Sequence, residues 1–284
     1  MDTDSSSNTK KENKKAMLLV VSDLHTNSRT AVLNPKSKLE GNISVPYSPR
    51  QAKIYQKMNE GIDLLTKFAV DSGVENRIVI CNGDLTDGAD HHNNTEFISK
   101  DEDDICTLAQ DVLINFKRFS ERFIFTKGTA SHTGKNSERE KLIAKEFGSI
   151  KNNDGERIWE KVQFDLNGTF FDIAHHTRAG ANKDTFYNPL IKNLNRVVED
   201  NLGKKKYVVI RSHIHIYSTL TLETNKTIIT TPSLQGATNY IYSFNPNTKG
   251  FAMGILGILI NEDGSIKELP YLFQIEESHL LKEI

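Results

Sequence analysis

The chain has 284 residues, 37 % hydrophobic and 26 % charged, with a formal net charge of −1. That is an ordinary soluble composition with ample material for a core, and it excludes an overall basic field that would recruit nucleic acid, leaving room only for a local groove. Two cysteines, Cys81 and Cys106, exclude a disulfide framework, and no apolar run is long enough to span a bilayer.

Residues 1–15 are polar and charged, lack the apolar run of a signal peptide and read as a disordered tail. Residues 16–275 read as one domain and 276–284 as a charged tail. A cytoplasmic location is the expectation, and no membrane partner is expected.

Met17 to Val21 is an apolar strand that runs straight into Ser22-Asp23-Leu24-His25. Alternation along an extended segment puts Asp23 and His25 on one side, where a carboxylate and an imidazole can address one metal ion. Thr26 to Tyr47 has no clear period and reads as a long loop, either covering that edge or running through solvent. Ser48-Pro49-Arg50-Gln51 is a helix start with a capping box, followed by Tyr55, Met58, Ile62, Leu65 and Ala69 at helical spacing and Gly73 as a stop.

Ile78-Val79-Ile80-Cys81 is a buried strand, with Cys81 as a small apolar residue. It ends in Asn82-Gly83-Asp84, with Asp87 three residues on. Glycine allows a sharp turn that brings Asp84 into the open at the strand's C-terminal edge, where open α/β sheets hold their chemistry. Strand, helix and strand in this order predict a right-handed parallel crossover and an α/β fold.

Gly88 to Lys100 is a polar segment containing His91-His92, which reads as a surface loop rather than a metal site. Asp104 to Phe119 is helical by its apolar spacing, and Phe123 to Phe125 is the third strand. It leads to Gly128-Thr129-Ala130-Ser131-His132, and Ser137 to Glu140 reads as a second capping box.

Asn167-Gly168 between two alternating strands predicts a hairpin, whose second strand ends in His175-His176. Asn188-Pro189 caps a helix, and Tyr207 to Ile210 is a strand ending in Ser212-His213-Ile214-His215. Two more hairpins follow, with turns at Asn225-Lys226 and Asp263-Gly264.

Of nine histidines, His25, His132, His175, His176, His213 and His215 fall after predicted strands, beside Asp23 and Asp84. Carboxylates with imidazoles and no thiolate suit Mn²⁺, Fe, Zn²⁺, Ni²⁺ or Co²⁺. The groups are too many for one tetrahedral site, and two ions sharing a carboxylate would use them.

The order D-x-H, G-D-x-x-D, G-T-x-x-H, strand-H and S-H-x-H resembles the calcineurin-like metallophosphoesterase superfamily from about Met17 to Ser218. Asn34-Pro35 and the Gly-Thr-x-x-His form look most like its phage- and prophage-encoded branch. The resemblance implies a β-sandwich flanked by helices in four layers, α/β/β/α. It implies that Asp23, His25 and His215 hold a first divalent metal ion, Mn²⁺ being the expected one. His175 and His213 would hold a second, Asp84 would bridge them, and Asp87 would accept a hydrogen bond from behind the site. The family has an asparagine ligand and a histidine in its third motif. Here Thr129 stands in the asparagine's place and the histidine comes later, at His132. Either His132 is the general acid, with water or Thr129 filling the ligand place, or His132 is itself a ligand; the acid role is the expectation. Arg178 is a phosphate-binding candidate, with an ordinary surface arginine as the other reading.

The implied activity is metal-dependent hydrolysis of a phosphate ester, expected to be a diester on a nucleotide or nucleic acid. Two departures count against a Ser/Thr protein phosphatase. Gly88 follows Asp87 where those enzymes have arginine, and the third motif lacks their Arg-Gly-Asn-His-Glu form. The rival class is a non-catalytic binder of a nucleotide or DNA end that has lost turnover through its altered third motif. A structural one-metal protein ranks last, because structural zinc sites are usually cysteine-rich and closed.

Overall fold

The structure, a computed structural model, describes residues 13–88, 97–180, 185–236 and 252–275. His91-His92, most of the first tail and the last tail lie outside the described residues.

The strands are β1 (Ala16–Val21), β2 (Lys38–Leu39), β3 (Ile43–Ser44), β4 (Asn76–Asn82), β5 (Phe123–Thr126), β6 (Ile158–Trp159), β7 (Val162–Leu166), β8 (Thr169–Ile173), β9 (Lys206–Arg211), β10 (Ser218–Leu222), β11 (Lys226–Thr230), β12 (Met253–Ile260) and β13 (Ile266–Phe273). The helices are α1 (Pro49–Asp71), α2 (Glu102–Leu113), the single turn α3 (Ala130–Thr133), α4 (Glu138–Glu146) and α5 (Asn188–Asp200).

One sheet has the order β13-β12-β1-β4-β5-β6 and the other β10-β11-β9-β8-β7. In the first, β1, β4, β5 and β6 are parallel, and the antiparallel hairpin β12/β13 is added beside β1. In the second, β8, β9 and β11 are parallel and the outer strands β7 and β10 are antiparallel.

Side-chain alternation assigns the faces. Leu18 and Val20 of β1 pack with Ile80 and Ile258 against Phe171, Ile173, Val208 and Ile210 of the second sheet. Met17, Leu19 and Val21 face the other way, onto Ile54, Met58, Ile62 and Leu65 of α1 and onto α2 and α4. Phe170, Tyr207 and Val209 turn outward under Leu190, Leu194 and Val197 of α5. The result is four layers, helix, sheet, sheet, helix, as the resemblance implied. Because β1 is buried on both faces, it reads as an unbroken apolar run.

Local chemistry accounts for the element ends. At the start of α1 the Ser48 hydroxyl accepts the Gln51 N–H and the Gln51 carbonyl accepts the Ser48 N–H, both at 3.1 Å. Asn167 and Gly168 both have positive φ, 54° and 81°, as a two-residue hairpin turn requires. α2 begins at Glu102, two residues before the expected start, and Asp101 caps it, accepting from the N–H groups of Asp103 and Asp104.

Other expectations are corrected. The loop after His25 is not a solvated excursion at its start: residues 26–28 and 31–33 are buried, with Val32 bonded to Leu234 and Asn27 to Asp87 and Ser99. Ser137 makes no capping bond to α4. Tyr187, not Asn188, takes the N-cap place of α5, without a side-chain capping bond, and Asn188 is the helix's first residue. The short strand β6, too brief for a periodic signal, adds an edge to the first sheet.

Candidate metal centre

The predicted site residues follow the C-terminal ends of β1, β4, β5, β8 and β9, so two sheets supply one centre. Asp23 and His25 are not extended, as alternation suggested: their φ angles are 50° and 44°. Asp84, His213 and His215 are left-handed too, at 53°, 74° and 57°. Left-handed non-glycine residues are uncommon and cost about 1–3 kcal/mol each. Backbone bonds between the loops hold them there. Asp23 N–H donates to the Gly83 carbonyl at 3.0 Å, His25 N–H to that of Asp84 at 3.1 Å, and Ser212 N–H to that of His175 at 2.9 Å.

Beneath the loops lies a buried polar network joining the strand ends of both sheets. Asn82 donates to Ser212 Oγ at 2.6 Å and to the Ala174 carbonyl, and accepts from Thr126 at 2.7 Å. Thr231 links Ser212 to Ser22, at 2.7 Å on each side. Ser22, Asn82, Thr126, Ser212 and Thr231 are fully buried, so each hydroxyl or amide depends on its partner. Ser212 is a central member of this network.

Above it the side chains converge. His25 Nε2 lies 3.2 Å from His215 Nε2, and His215 Nε2 lies 3.3 Å from Asp23 Oδ1. His175 Nε2 is 3.0 Å and His213 Nδ1 3.8 Å from Asp84 Oδ2. Four groups have ligand atoms all within 4.8 Å of one another: Asp23/His25/His215, Asp23/Asp84/His175, His175/His176/His213 and His25/Asp87/His132. Asp23 is common to the first two groups, and Asp84 Oδ2 lies toward His175 and His213.

The arrangement fits cations. Asp23 Oδ1 and His25 Nδ1 are buried with no hydrogen-bond partner among the described residues; the His215 approach is close but misaligned for one. Burial opposes the charge on Asp23, yet His215 holds its carboxyl down to about 2. Asp84 behaves likewise, burial being outweighed by His175, which keeps it well below the usual range. Burial, then the neighbouring charge of His132, pushes His25 down to about 3, so its imidazole is neutral and able to ligate. Burial works against charge on His175, but Asp84 beside it lifts the imidazole to about 10. Buried carboxylates that stay ionised need compensating positive charge.

His132 stands beside this cluster. Its Nδ1 lies 2.9 Å from Asp87 Oδ1, and its ring meets the His25 ring edge-on, with centroids 4.5 Å apart. Burial disfavours the charged ring, but the Asp87 hydrogen bond and the nearby carboxylates raise its pKa above the ordinary value. The side-chain partner of Asp87 is therefore His132, and both lie close to His25. Arg178 is exposed, and among the described residues no hydrogen bond or ion pair draws it into the cluster.

Two supports were not read from the sequence. Thr129 donates its N–H to Asp84 Oδ1 at 2.5 Å and its hydroxyl to Oδ2 at 3.1 Å, fixing that carboxylate. Glu140, fully buried, accepts from the N–H groups of Gly128 at 2.7 Å and Leu85 at 3.3 Å, bracing the two loops that carry Asp84 and Thr129. Burial, then the charge of Asp84, pushes its carboxyl up to about 8. The two loops touch so closely that a Cβ on Gly128 would lie 2.3 Å from the Asp84 amide nitrogen. A Gly-x-x-x-x-x-x-x-x-x-x-x-Glu spacing carries no recognisable signal; only the glycines hinted at close approach.

A four-layer α/β/β/α chain with a buried Asp/His cluster at its strand ends is therefore the class that fold and site define. No family profile matches the chain, and no curated protein matches it. Solved structures with similar layers include a dimetal phosphatase from Danio rerio, at 9 % identity over 92 % of this chain and 100 % of that one, TM-score 0.47. A Vps29 single mutant from Entamoeba histolytica is 14 % identical over 91 % of this chain and 99 % of that one, TM-score 0.37. A 5′-nucleotidase from Candida albicans is 10 % identical over 92 % of this chain and 52 % of that one, TM-score 0.42.

Proposed function

We propose that the chain is a metal-dependent phosphoesterase of the calcineurin-like superfamily, with a dinuclear centre and a phosphodiester as its substrate. The observation that carries this reading is the pair of adjoining groups, Asp23/His25/His215 and Asp23/Asp84/His175, built on two sheets around buried, ionised carboxylates.

Asp23, His25 and His215 would hold one divalent ion, and Asp84, His175 and His213 the other, with a carboxylate between them. Bound there, such ions supply the Lewis acidity that neutralises phosphoryl oxygens and activates water for in-line attack. The chain's own residues do the rest. Thr129 keeps Asp84 in one orientation. Asp87 fixes the His132 ring through Nδ1, and the ring would supply a proton to the departing oxygen. General acid catalysis of that kind contributes about 10²–10⁴ in rate. The substrate would be a nucleotide or a nucleic-acid end; no helix among the described residues is long and apolar enough to cross a membrane.

One observation favours the binder: Thr129 occupies the place of the family's asparagine. A single experiment addresses both readings. The Mn²⁺-loaded protein is assayed on a generic phosphodiester, a generic monoester, cyclic nucleotides and nucleic-acid ends, beside Asp84→Asn. Metal-dependent turnover that Asp84→Asn abolishes supports the enzyme. Tight nucleotide binding without turnover, under metal saturation, supports the binder.

A further inference from the structure

His176 has no role in the reading above, yet the structure places it against the half of the centre that lacks a ligand. We infer that His176 is a metal ligand, taking with its imidazole the place for which the chain has no asparagine. The inference rests on the dinuclear reading and deepens it.

Three observations carry it. First, ligand atoms of His175, His176 and His213 all lie within 4.8 Å of one another. The His176 ring stands edge-on to both neighbours, its centroid 5.0 Å from that of His175 at 74° and 5.5 Å from that of His213 at 84°. Second, His175 is already committed in the sense a ligand needs. Its Nδ1 donates to the Asn82 carbonyl at 2.8 Å, which fixes the ring and turns Nε2 toward Asp84. Third, the Thr129 hydroxyl is already engaged among these groups: it donates to Asp84 and lies 3.2 Å from His213 Nδ1 and 3.5 Å from His175 Nε2. A neutral hydroxyl is also a poor ligand for a transition ion beside an available imidazole.

Metal–nitrogen bonds of about 2.0–2.1 Å place neighbouring ligand atoms roughly 3–3.5 Å apart. The three rings therefore need to close only slightly. His176 and His213 are exposed and His175 is buried, so the two outer rings can swing onto a nitrogen that is already fixed. The second half of the centre would then present Asp84 and three imidazoles. The first would keep Asp23, His25 and His215.

Mn²⁺ alone is the probe, titrated into the full chain with bound metal measured by equilibrium dialysis and elemental analysis. Wild type, His176→Ala and Thr129→Val are compared, and thermal melting of each variant without metal confirms folding. Wild type is expected to take two ions. His176→Ala is expected to keep the first and to weaken the second by about 10-fold or more, since even outer partners of ligands are worth ~10–100-fold. Thr129→Val, which keeps the backbone N–H bond to Asp84 and loses only the hydroxyl's, is expected to bind two ions with the second weakened less than in His176→Ala. Two ions in His176→Ala at wild-type affinity overturn the assignment while leaving the dinuclear reading intact. Loss of the second ion in Thr129→Val but not in His176→Ala overturns it in favour of the hydroxyl. A ceiling of one ion in wild type removes the dinuclear reading and this inference together.

Discussion

Asp84 and Asp87 are three residues apart on one loop, yet the structure gives them different work. Asp84 faces His175 and His213, whereas Asp87 faces His132. Asp84→Asn should therefore abolish activity and metal retention, and asparagine tolerates the left-handed backbone at this position, so folding is preserved. Asp87→Asn should keep both ions and lose about 10–100-fold in kcat. Equal losses in the two variants, with equal metal content, would show the wrong carboxylate has been placed at the ions. His132→Ala should also keep its metal. Its rate should fall most on esters with poor leaving groups and much less on a nitrophenyl ester, whose anion needs no proton. A uniform fall accompanied by lost metal would make His132 a ligand. At this scale the sequence was highly legible, because strand-end Asp and His in a fixed order expose the chemistry directly. What it hid was conformation. Asp23-x-His25 looked like an extended pair, and it is two left-handed residues separated by buried Leu24. A one-dimensional pattern cannot register backbone strain that only cross-loop hydrogen bonds make tolerable.

The α4 helix shows how an element signal misleads. Ser137-x-x-Glu140 has the spacing of a capping box, but Ser137 is left-handed and makes no side-chain cap. Tertiary demand took Glu140 instead, turning it inward to hold the amides of Leu85 and Gly128. The helix start at Ser48 has the same signature and no competing partner, and there the box forms. Glu140 also gives the fold a pH response. Its carboxyl is raised from 4.5 to about 8 in the folded chain, so the folded state holds a proton that the unfolded state releases. The stabilisation is fully present below the unfolded value and is lost as pH rises through the folded one. Metal-free protein should therefore lose stability between pH 5 and 8, by up to ~1.4 kcal/mol per pH unit from this group. Glu140→Gln should flatten that part of the profile, as measured by thermal melting across pH. Parallel profiles for wild type and variant would mean Glu140 is ionised in the fold.

For the whole molecule, strand-helix-strand order was enough to foresee parallel pairing, since buried strands and helical stripes announce themselves by period, whereas the sandwich was foreseen only through the resemblance of the motifs. The neighbour relations were not legible. Nothing in the sequence states that β12 inserts beside β1, because pairing of distant strands is decided by complementary apolar faces. The polar network under the loops was equally hidden, as serine, threonine and asparagine at strand ends resemble ordinary turn residues. Because the centre draws ligands from both sheets, ion binding should stabilise the entire fold. At 100 times Kd each ion adds about 2.7 kcal/mol, and at ~2–4 °C per kcal/mol saturating Mn²⁺ should raise Tm by roughly 5–10 °C per site. Chelator should reverse it, and an unchanged Tm under saturating metal would show that the cluster holds no ion.

The position of β1 between β4 and β12 has a consequence for how the chain comes off the ribosome. The strand is complete at Val21, while its antiparallel neighbour starts only at Met253. At ~5–20 residues per second, β1 waits roughly 10–50 s with one side unpaired. An apolar strand with open N–H and C=O groups is a template for pairing between chains. Lys14 and Lys15 directly precede it, and like charges at the border of such a strand oppose that pairing. The finished sheet no longer has the problem, because its new margin is β13, which carries Pro270 and the exposed Lys267. A chain cut at residue 236, before β12, should sediment as aggregate, and replacing both lysines with serine should worsen it. A soluble, monomeric fragment by analytical ultracentrifugation would show that the nascent strand is shielded by some other part of the chain.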